Sequence, residues 1–259
     1  MPKLIDSIFF DSDPATGSDN TDNGGRFHVT LDPPLHLNEN KRLTCALHTC
    51  DIWYTIPNVS SVLNNDHFRF LDTTTATTYD MTFVKGLYSV STIESAINDF
   101  LINNLLPSGI FQFDPDDSTG YISLKINRVG VTVYWSDANS IGSLLGFTTD
   151  DGPTTVSGLI YESNTQAQLN LLRNILLNFS AASSYFNGKG GSNVIGSITP
   201  NVPVGSLIAY EPYNLLDVKL IGNHHDHLSL WLTNSRTGEV VDTNGEYWSC
   251  TITFYEDDY

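Results

Sequence analysis

The residues of this chain best suited to chemistry form one run, Asn223-His224-His225-Asp226-His227. Imidazole and carboxylate are good ligands for zinc or nickel, and on a strand His225 and His227 would share one face. His224, His225 and His227 are therefore the candidate metal ligands. No second cluster in the sequence supplies the rest of a coordination shell. The run also sits on an expected turn entering a strand, where exposed polar residues are ordinary. The expectation is no resident metal and no cofactor.

Other reactive residue types give less. Asp114, Asp116, Asp117, Asp150 and Asp151 fall in turn-like runs, and aspartate is a default turn residue. A glycosidase needs two carboxylates across a cleft, which spacing alone does not place. The sequence has no G-x-S-x-G elbow and no H-E-x-x-H. The stretch Asn187 to Ser192 is glycine-rich but lacks phosphate-loop spacing, and it reads as a hairpin loop. The aspartates between Asp11 and Asp22 lack the D-x-[DN]-x-[DN]-G order of a calcium loop. A metal-dependent enzyme of the cupin kind would have only His48 and the 224–227 run to draw on. No catalytic residue is assigned, and the chain reads as a non-enzyme.

The three cysteines are Cys45, Cys50 and Cys250. An odd number without a close pair is not a disulfide framework. Cys45 and Cys50, five apart, fall on opposite faces of a regular strand. All three read as buried thiols in a reducing compartment. Two N-x-S sequons, at Asn58 and Asn178, read as chance matches.

Charge restricts the partners. With 12 Lys and Arg against 29 Asp and Glu the net charge is −17, a field that repels phosphate backbones and anionic membranes. No Lys/Arg run breaks the pattern, so direct nucleic-acid binding is not expected. The opening Met-Pro-Lys-Leu-Ile-Asp lacks a signal peptide's apolar run, and no apolar stretch of membrane-spanning length follows.

These residues must be positioned by a mostly β chain. Residues 11 to 25 are polar and non-periodic and read as a mobile loop after a short strand at Ile8 to Phe10. Phe27, Val29 and Leu31 alternate in a strand that Pro33-Pro34 should stop. A long strand or bent pair covers residues 42 to 56. Short strands at Phe68 to Leu71 and Tyr79 to Val84 precede one helix, about residues 91–106. Ser91 and Glu94 look like its capping box, and Ile93, Ile97, Phe100, Leu101 and Leu105 form its apolar stripe. Tyr121 to Arg128 should pair with Val131 to Trp135 through a turn at Val129-Gly130. Ser143 to Phe147 is a short apolar turn. Six further strands are expected at 171–180, 194–198, 206–210, 216–221, 227–233 and 247–255, the last alternating Trp248, Cys250, Ile252 and Phe254 inward. The short first strand aside, two N-terminal and six C-terminal strands make eight. The expected fold is all-β: a single jelly roll, an antiparallel eight-stranded sandwich formed by residues 1–63 and 151–259, with a small α+β insertion at 64–150.

Five short motifs carry a resemblance. Gly205-Ser-Leu-Ile-Ala-Tyr-Glu-Pro212, then Leu228-Ser-Leu-Trp-Leu-Thr233, then Val241-Asp-Thr-Asn-Gly-Glu246 ahead of a final strand resemble the ending of the minor capsid (penton) proteins of virophages and Polinton-like DNA viruses. Gly86-Leu-Tyr-Ser-Val90 and Ser143-Leu-Leu-Gly-Phe147 resemble the middle of the same family. These are packing motifs and bring no catalytic residue with them. The resemblance implies a virion component assembled inside the host cell. It implies a homopentamer at the vertices of an icosahedral shell, with neighbouring major capsid proteins as partners and no membrane span. The alternative reading is a carbohydrate-binding or host-attachment β-sandwich, in which exposed Trp or Tyr would stack on sugars.

Overall fold

The computed structural model describes residues 3–38, 40–169, 172–186 and 189–257. In chain order the first strands are β1 (Lys3–Asp11), β2 (Asp19–Thr21), β3 (Arg26–His36) and β4 (Arg42–Trp53). The middle holds β5 (His67–Asp72), β6 (Thr77–Thr82), helix α1 (Val90–Asn103), β7 (Phe111–Pro115), β8 (Ile122–Ile126), β9 (Val131–Val133), the one-turn helix α2 (Gly142–Leu145) and β10 (Leu159–Glu162). The chain then returns to strands: β11 (Ile175–Phe179), β12 (Ala182–Phe186), β13 (Lys189–Ser192), β14 (Val194–Ile198), β15 (Leu207–Tyr210), β16 (Val218–Leu220), β17 (His224–Asn234) and β18 (Trp248–Asp257). Two compact units result, one from Met1–Ile56 with Leu172–Tyr259 and the other from Pro57–Leu171. The second is wider than the 64–150 expected, because β10 pairs with β8 and so carries residues 159–162 into it.

The first unit is an antiparallel β-sandwich. One sheet runs β1-β18-β4-β16-β12-β13 with β15 also on β4, and the other runs β14-β11-β17-β3-β2. Period-two alternation builds the core between them: β17 turns Leu228, Leu230 and Leu232 inward, and β18 turns Trp248, Cys250, Ile252 and Phe254 inward. Phe179 of β11 meets Phe10 and Phe254 at ring distances of 6.2 Å. Trp248 lies edge-on to Phe27 at 4.8 Å while its indole N–H donates to the Gly24 carbonyl at 2.9 Å. The buried ring thus keeps its one polar atom paired. The pairing is nested along the chain. β1 pairs with β18, β3 with β17, β4 with β16, and β11 with β14.

Several local expectations change here. β3 does not stop at Pro33-Pro34 but runs on to His36, because its ladder with β17 skips there: His225 faces Leu35 and His227 faces Thr30. The prolines lie in the bulged-out stretch, where no ladder amide is needed. A second irregularity, where Thr251 faces Thr49 but Ile252 faces Leu47, leaves His48 as the extra residue of β4. That bulge resets the period-two pattern, so Cys45, Leu47, Cys50 and Ile52 all reach one core. Cys45 and Cys50 are therefore not split between faces. Residues 11 to 25 are structured: Asp13 accepts from the Ala15 amide, Asn20 donates to the Ser12 carbonyl, and β2 pairs with β3. The hairpin read at 187–192 is β12–β13, with residues 187 and 188 outside the described ones. The first unit holds twelve strands among the described residues rather than eight, seven in one sheet and five in the other.

The second unit packs α1 and two three-stranded sheets, β10-β8-β7 and β6-β5-β9, around a separate core. Phe111 stands between Phe68 and Phe70 at 5.1 and 5.0 Å, and Trp135 stacks on Phe147 at 4.7 Å. The helix starts one residue earlier than expected. Ser89 caps it and Thr92 completes the capping box, whereas Glu94 accepts from the Phe113 amide at 2.8 Å and ties α1 to β7. Ile93, Ile97 and Leu101 are fully buried, Phe100 is half-buried, and Leu105 lies beyond the helix and exposed. Ile122, Leu124 and Ile126 of β8 face inward as expected, but β8 pairs with β7 and β10, and β9 pairs with β5. The turn at Val129-Gly130 passes the chain to the other sheet instead of closing a hairpin: Gly130 bonds through its carbonyl to the Thr73 amide beside β5. α2 ends at Gly146, whose φ is +87° and where a Cβ would lie 2.1 Å from the Thr165 carbonyl. Both the conformation and the close approach demand glycine.

Candidate functional site

The antiparallel ladder of β3 and β17 gathers five histidines, among them two that the sequence run did not flag, His28 and His36. His224 faces His36 across the ladder, with Nδ1 to Nδ1 at 3.1 Å and ring centres 4.5 Å apart. His227 lies with Nδ1 3.1 Å from the Thr30 hydroxyl, and His28 pairs with the Ser229 hydroxyl at 2.7 Å. His225 is half-buried; burial, the largest influence, pushes its imidazole below its ordinary pKa against a hydrogen bond with the Gly222 backbone. The three candidates thus turn to three different partners. Among the described residues no group of three or more His, Cys, Asp or Glu is arranged to hold a metal ion. His36 lies 188 residues from His224 in sequence, and only strand register brings the two together.

Three of the five aspartates accept hydrogen bonds, one within its own turn and two from Ser136 and Trp135 across a loop. Asp116 accepts from the Ser118 and Thr119 hydroxyls, which hold it down to about 2. Asp150 accepts from the Ser136 amide. Asp151 accepts from the Trp135 indole at 3.0 Å, and burial raises it despite that bond. Asp114 and Asp117 are exposed. The second unit has a polar cleft of about 360 Å³ lined by His67, Arg69, Asp80, Tyr134 and Asp137. There Arg69 Nε lies 2.7 Å from Asp137, its guanidinium sits 4.8 Å over the Tyr134 ring, and His67 bonds Asp80 at 3.0 Å. The first unit brings Lys219 of β16 alongside Lys41 and Arg42 in a depression of about 460 Å³. Lys41 and Arg42 are adjacent in the chain, and the β4–β16 ladder brings the third cation beside them.

Both sequon asparagines are buried. Asn58 donates to the Tyr88 and Leu169 carbonyls and accepts from the Tyr88 amide, and Asn178 donates to the Leu176 and Trp231 carbonyls. Neither amide is open to a glycan. Trp135 and Trp248 are core residues, Trp231 lies under the Arg26 guanidinium at 5.1 Å, and Trp53 is exposed. The first unit also carries apolar side chains outward. Leu4 and Phe9 project from β1, the end strand of its sheet, and Tyr213 and Leu216 project from the segment between β15 and β16. Among the described residues no helix is long and apolar enough to cross a membrane.

No protein-family model matches the chain, and no curated protein does. Among solved structures the chain is similar to the mavirus penton protein, with a TM-score of 0.47 and 8% identity over 97% of this chain and 100% of that one.

Proposed function

We propose that the chain is a structural capsid protein of the penton type, and that its first unit is a single jelly roll. The observation that carries the reading is the nested pairing. Taking β1, β3, β4, β11, β14, β16, β17 and β18 as framework strands one to eight, the pairs are one with eight, two with seven, three with six and four with five. The sheet orders are then 1-8-3-6 and 5-4-7-2, which is an antiparallel ribbon wound into a jelly roll. On this reading β2, β12, β13 and β15 are additions to the framework.

Jelly rolls serve capsids, lectins and cupins, so the fold by itself does not choose among them. Two features favour the shell. Three of the five penton-like motifs fall on β15, β17 and the entry to β18, which are framework or framework-adjacent strands. The end strand β1 also presents Leu4 and Phe9 outward, the kind of side-of-sandwich surface that a ring buries between neighbouring copies. A cupin needs several histidines converging on one point, whereas His224, His225 and His227 diverge. The role is then mechanical rather than catalytic, in a virion, alongside a major capsid protein.

Native mass spectrometry of the full chain, alone and with capsid partners, tests the proposal. A homopentamer that Phe9→Glu abolishes is the expected result. A folded chain that stays monomeric at every concentration and joins no shell overturns it. The carbohydrate-binding alternative has one observation of its own, the cleft where Tyr134 lies among Arg69, Asp80 and Asp137. Glycan-array retention lost on Tyr134→Ala would favour that alternative.

A further inference from the structure

We propose that His36 and His224 form a two-histidine site for a borderline divalent transition-metal ion, copper, nickel or zinc. The two rings are held by the ends of paired strands. His36 is the last residue of β3 and His224 the first of β17, and the register sets them directly opposite. Immediately beyond, the Leu37 amide donates to the Asn223 carbonyl at 2.7 Å, and Leu37 is buried. Both ring origins are therefore fixed by backbone bonds on strand ends rather than by mobile loops, the placement that keeps ligand geometry tight.

The distance between the rings is the second observation. Nδ1 of His36 and Nδ1 of His224 are 3.1 Å apart. Two imidazole nitrogens each about 2.0–2.1 Å from one ion stand about 2.9 Å apart at a right-angled bite and about 3.4 Å apart at a tetrahedral one. The observed separation falls inside that interval. A single N–H···N hydrogen bond also fits 3.1 Å, with one ring carrying its proton on Nδ1. Metal binding asks only that this ring move its proton to Nε2, which leaves a lone pair on each Nδ1 and both rings neutral. Two protein donors leave the other positions of the ion to water. The site is therefore open and exchangeable, and it sits at an exposed place on the sheet. His225 and His227 are not part of it, because one is turned toward Gly222 and the other bonds Thr30.

Equilibrium dialysis and calorimetry of the full chain with copper, nickel or zinc chloride test the site. One ion per chain is expected, held most tightly for copper. His36→Ala and His224→Ala should each lose the saturable uptake, while His225→Ala and His227→Ala keep it. Both side chains are exposed, so the variants should fold, and an unchanged thermal melt without metal checks this. Electron paramagnetic resonance of the copper form gives a direct readout, with coupling to two imidazole nitrogens expected in the wild type. No uptake by the wild type, uptake that survives loss of His36 and His224 together, or copper coupled to one nitrogen would overturn the assignment and leave the pair as a hydrogen bond.

Discussion

Cys50 and Cys250 stand directly opposite each other where β4 and β18 pair, and neither exposes more than 1% of its surface. Burial raises both thiols, and for Cys50 the neighbouring Cys250 adds to the effect. Burial likewise pushes Cys45 up to about 12, with Asp217 contributing. A thiolate is the reactive form, so all three should be inert in the native chain. Titration with a thiol reagent at pH 8 should find almost no reactive thiol until denaturant is added, and then three. Fast labelling of native chain would contradict the burial. The same shifts carry a pH sign. The unfolded chain ionises its thiols from about pH 8.5, where the folded chain keeps its protons, so stability should fall as pH rises above that value. Replacing Cys250 by Ala should flatten this alkaline limb.

Asp72 and Arg128 give the opposite limb. Asp72 is fully buried, and Arg128 reaches it at 2.6 Å. Burial is the largest influence and works to raise the carboxyl, but hydrogen bonds from Thr74 and the Arg128 charge together outweigh it and hold Asp72 below its ordinary value. A lowered carboxylate stabilises the fold above its unfolded pKa, about 3.9, and that stability drains away as pH falls below it. Asp72→Asn should cost roughly 1–3 kcal/mol at pH 7, and less at pH 3, by leaving the Arg128 charge without its partner. Thermal melts of both proteins at the two pH values check this, and an equal cost at both would mean the ion pair contributes nothing.

Repulsion sets the expected salt response of assembly. At a net charge of −17, copies brought together repel, and salt screens that repulsion within about 10 Å at 0.1 M. Association should therefore strengthen or stay flat between about 0.05 and about 0.5 M salt. The cations at Lys41, Arg42 and Lys219 are too few to reverse the sign, so no retention on a DNA or heparin column is expected at physiological salt. Tight, salt-sensitive retention would show that this patch dominates the global field. Analytical ultracentrifugation across the salt series and one column run decide it.

What the sequence made legible followed from periodicity, and what it hid followed from register. The alternation of Trp248, Cys250, Ile252 and Phe254, and that of Ile122, Leu124 and Ile126, survives in the structure because a strand half buried in a core must alternate. The helix came through for the same reason, although its capping box lies at Ser89 and Thr92. A period-two count splits Cys45 and Cys50 between two faces because the bulge at His48 is invisible to it. Val129-Gly130 reads like a hairpin turn whichever sheet the chain enters next, so local spacing pairs β9 with β8 where the structure pairs it with β5. The His36–His224 pair could not be found from local spacing, since its members are 188 residues apart. One signal was present: a lone histidine closing a proline-interrupted strand, and a second histidine opening another.

The final expectation concerns the autonomy of the second unit. Residues 57 to 171 form a compact unit with a core of their own. Ile93, Ile97 and Leu101 of α1 belong to it, with Phe68, Phe70, Phe111 and Leu124. Each fully buried aliphatic side chain there contributes about 1.5–3 kcal/mol relative to exposure. Ile97→Ala removes one of them and leaves a cavity, at a cost of about 2–5 kcal/mol. Phe100→Ala should cost less, because Phe100 is only half-buried. If the unit is an insertion that folds as its own cooperative block, hydrogen exchange in Ile97→Ala should lose protection within residues 57–169. Amides of β4, β17 and β18 should keep theirs. Equal loss across β17 and β18 would mean that the two cores melt as one, and that the insertion is an integral part of a single folding unit.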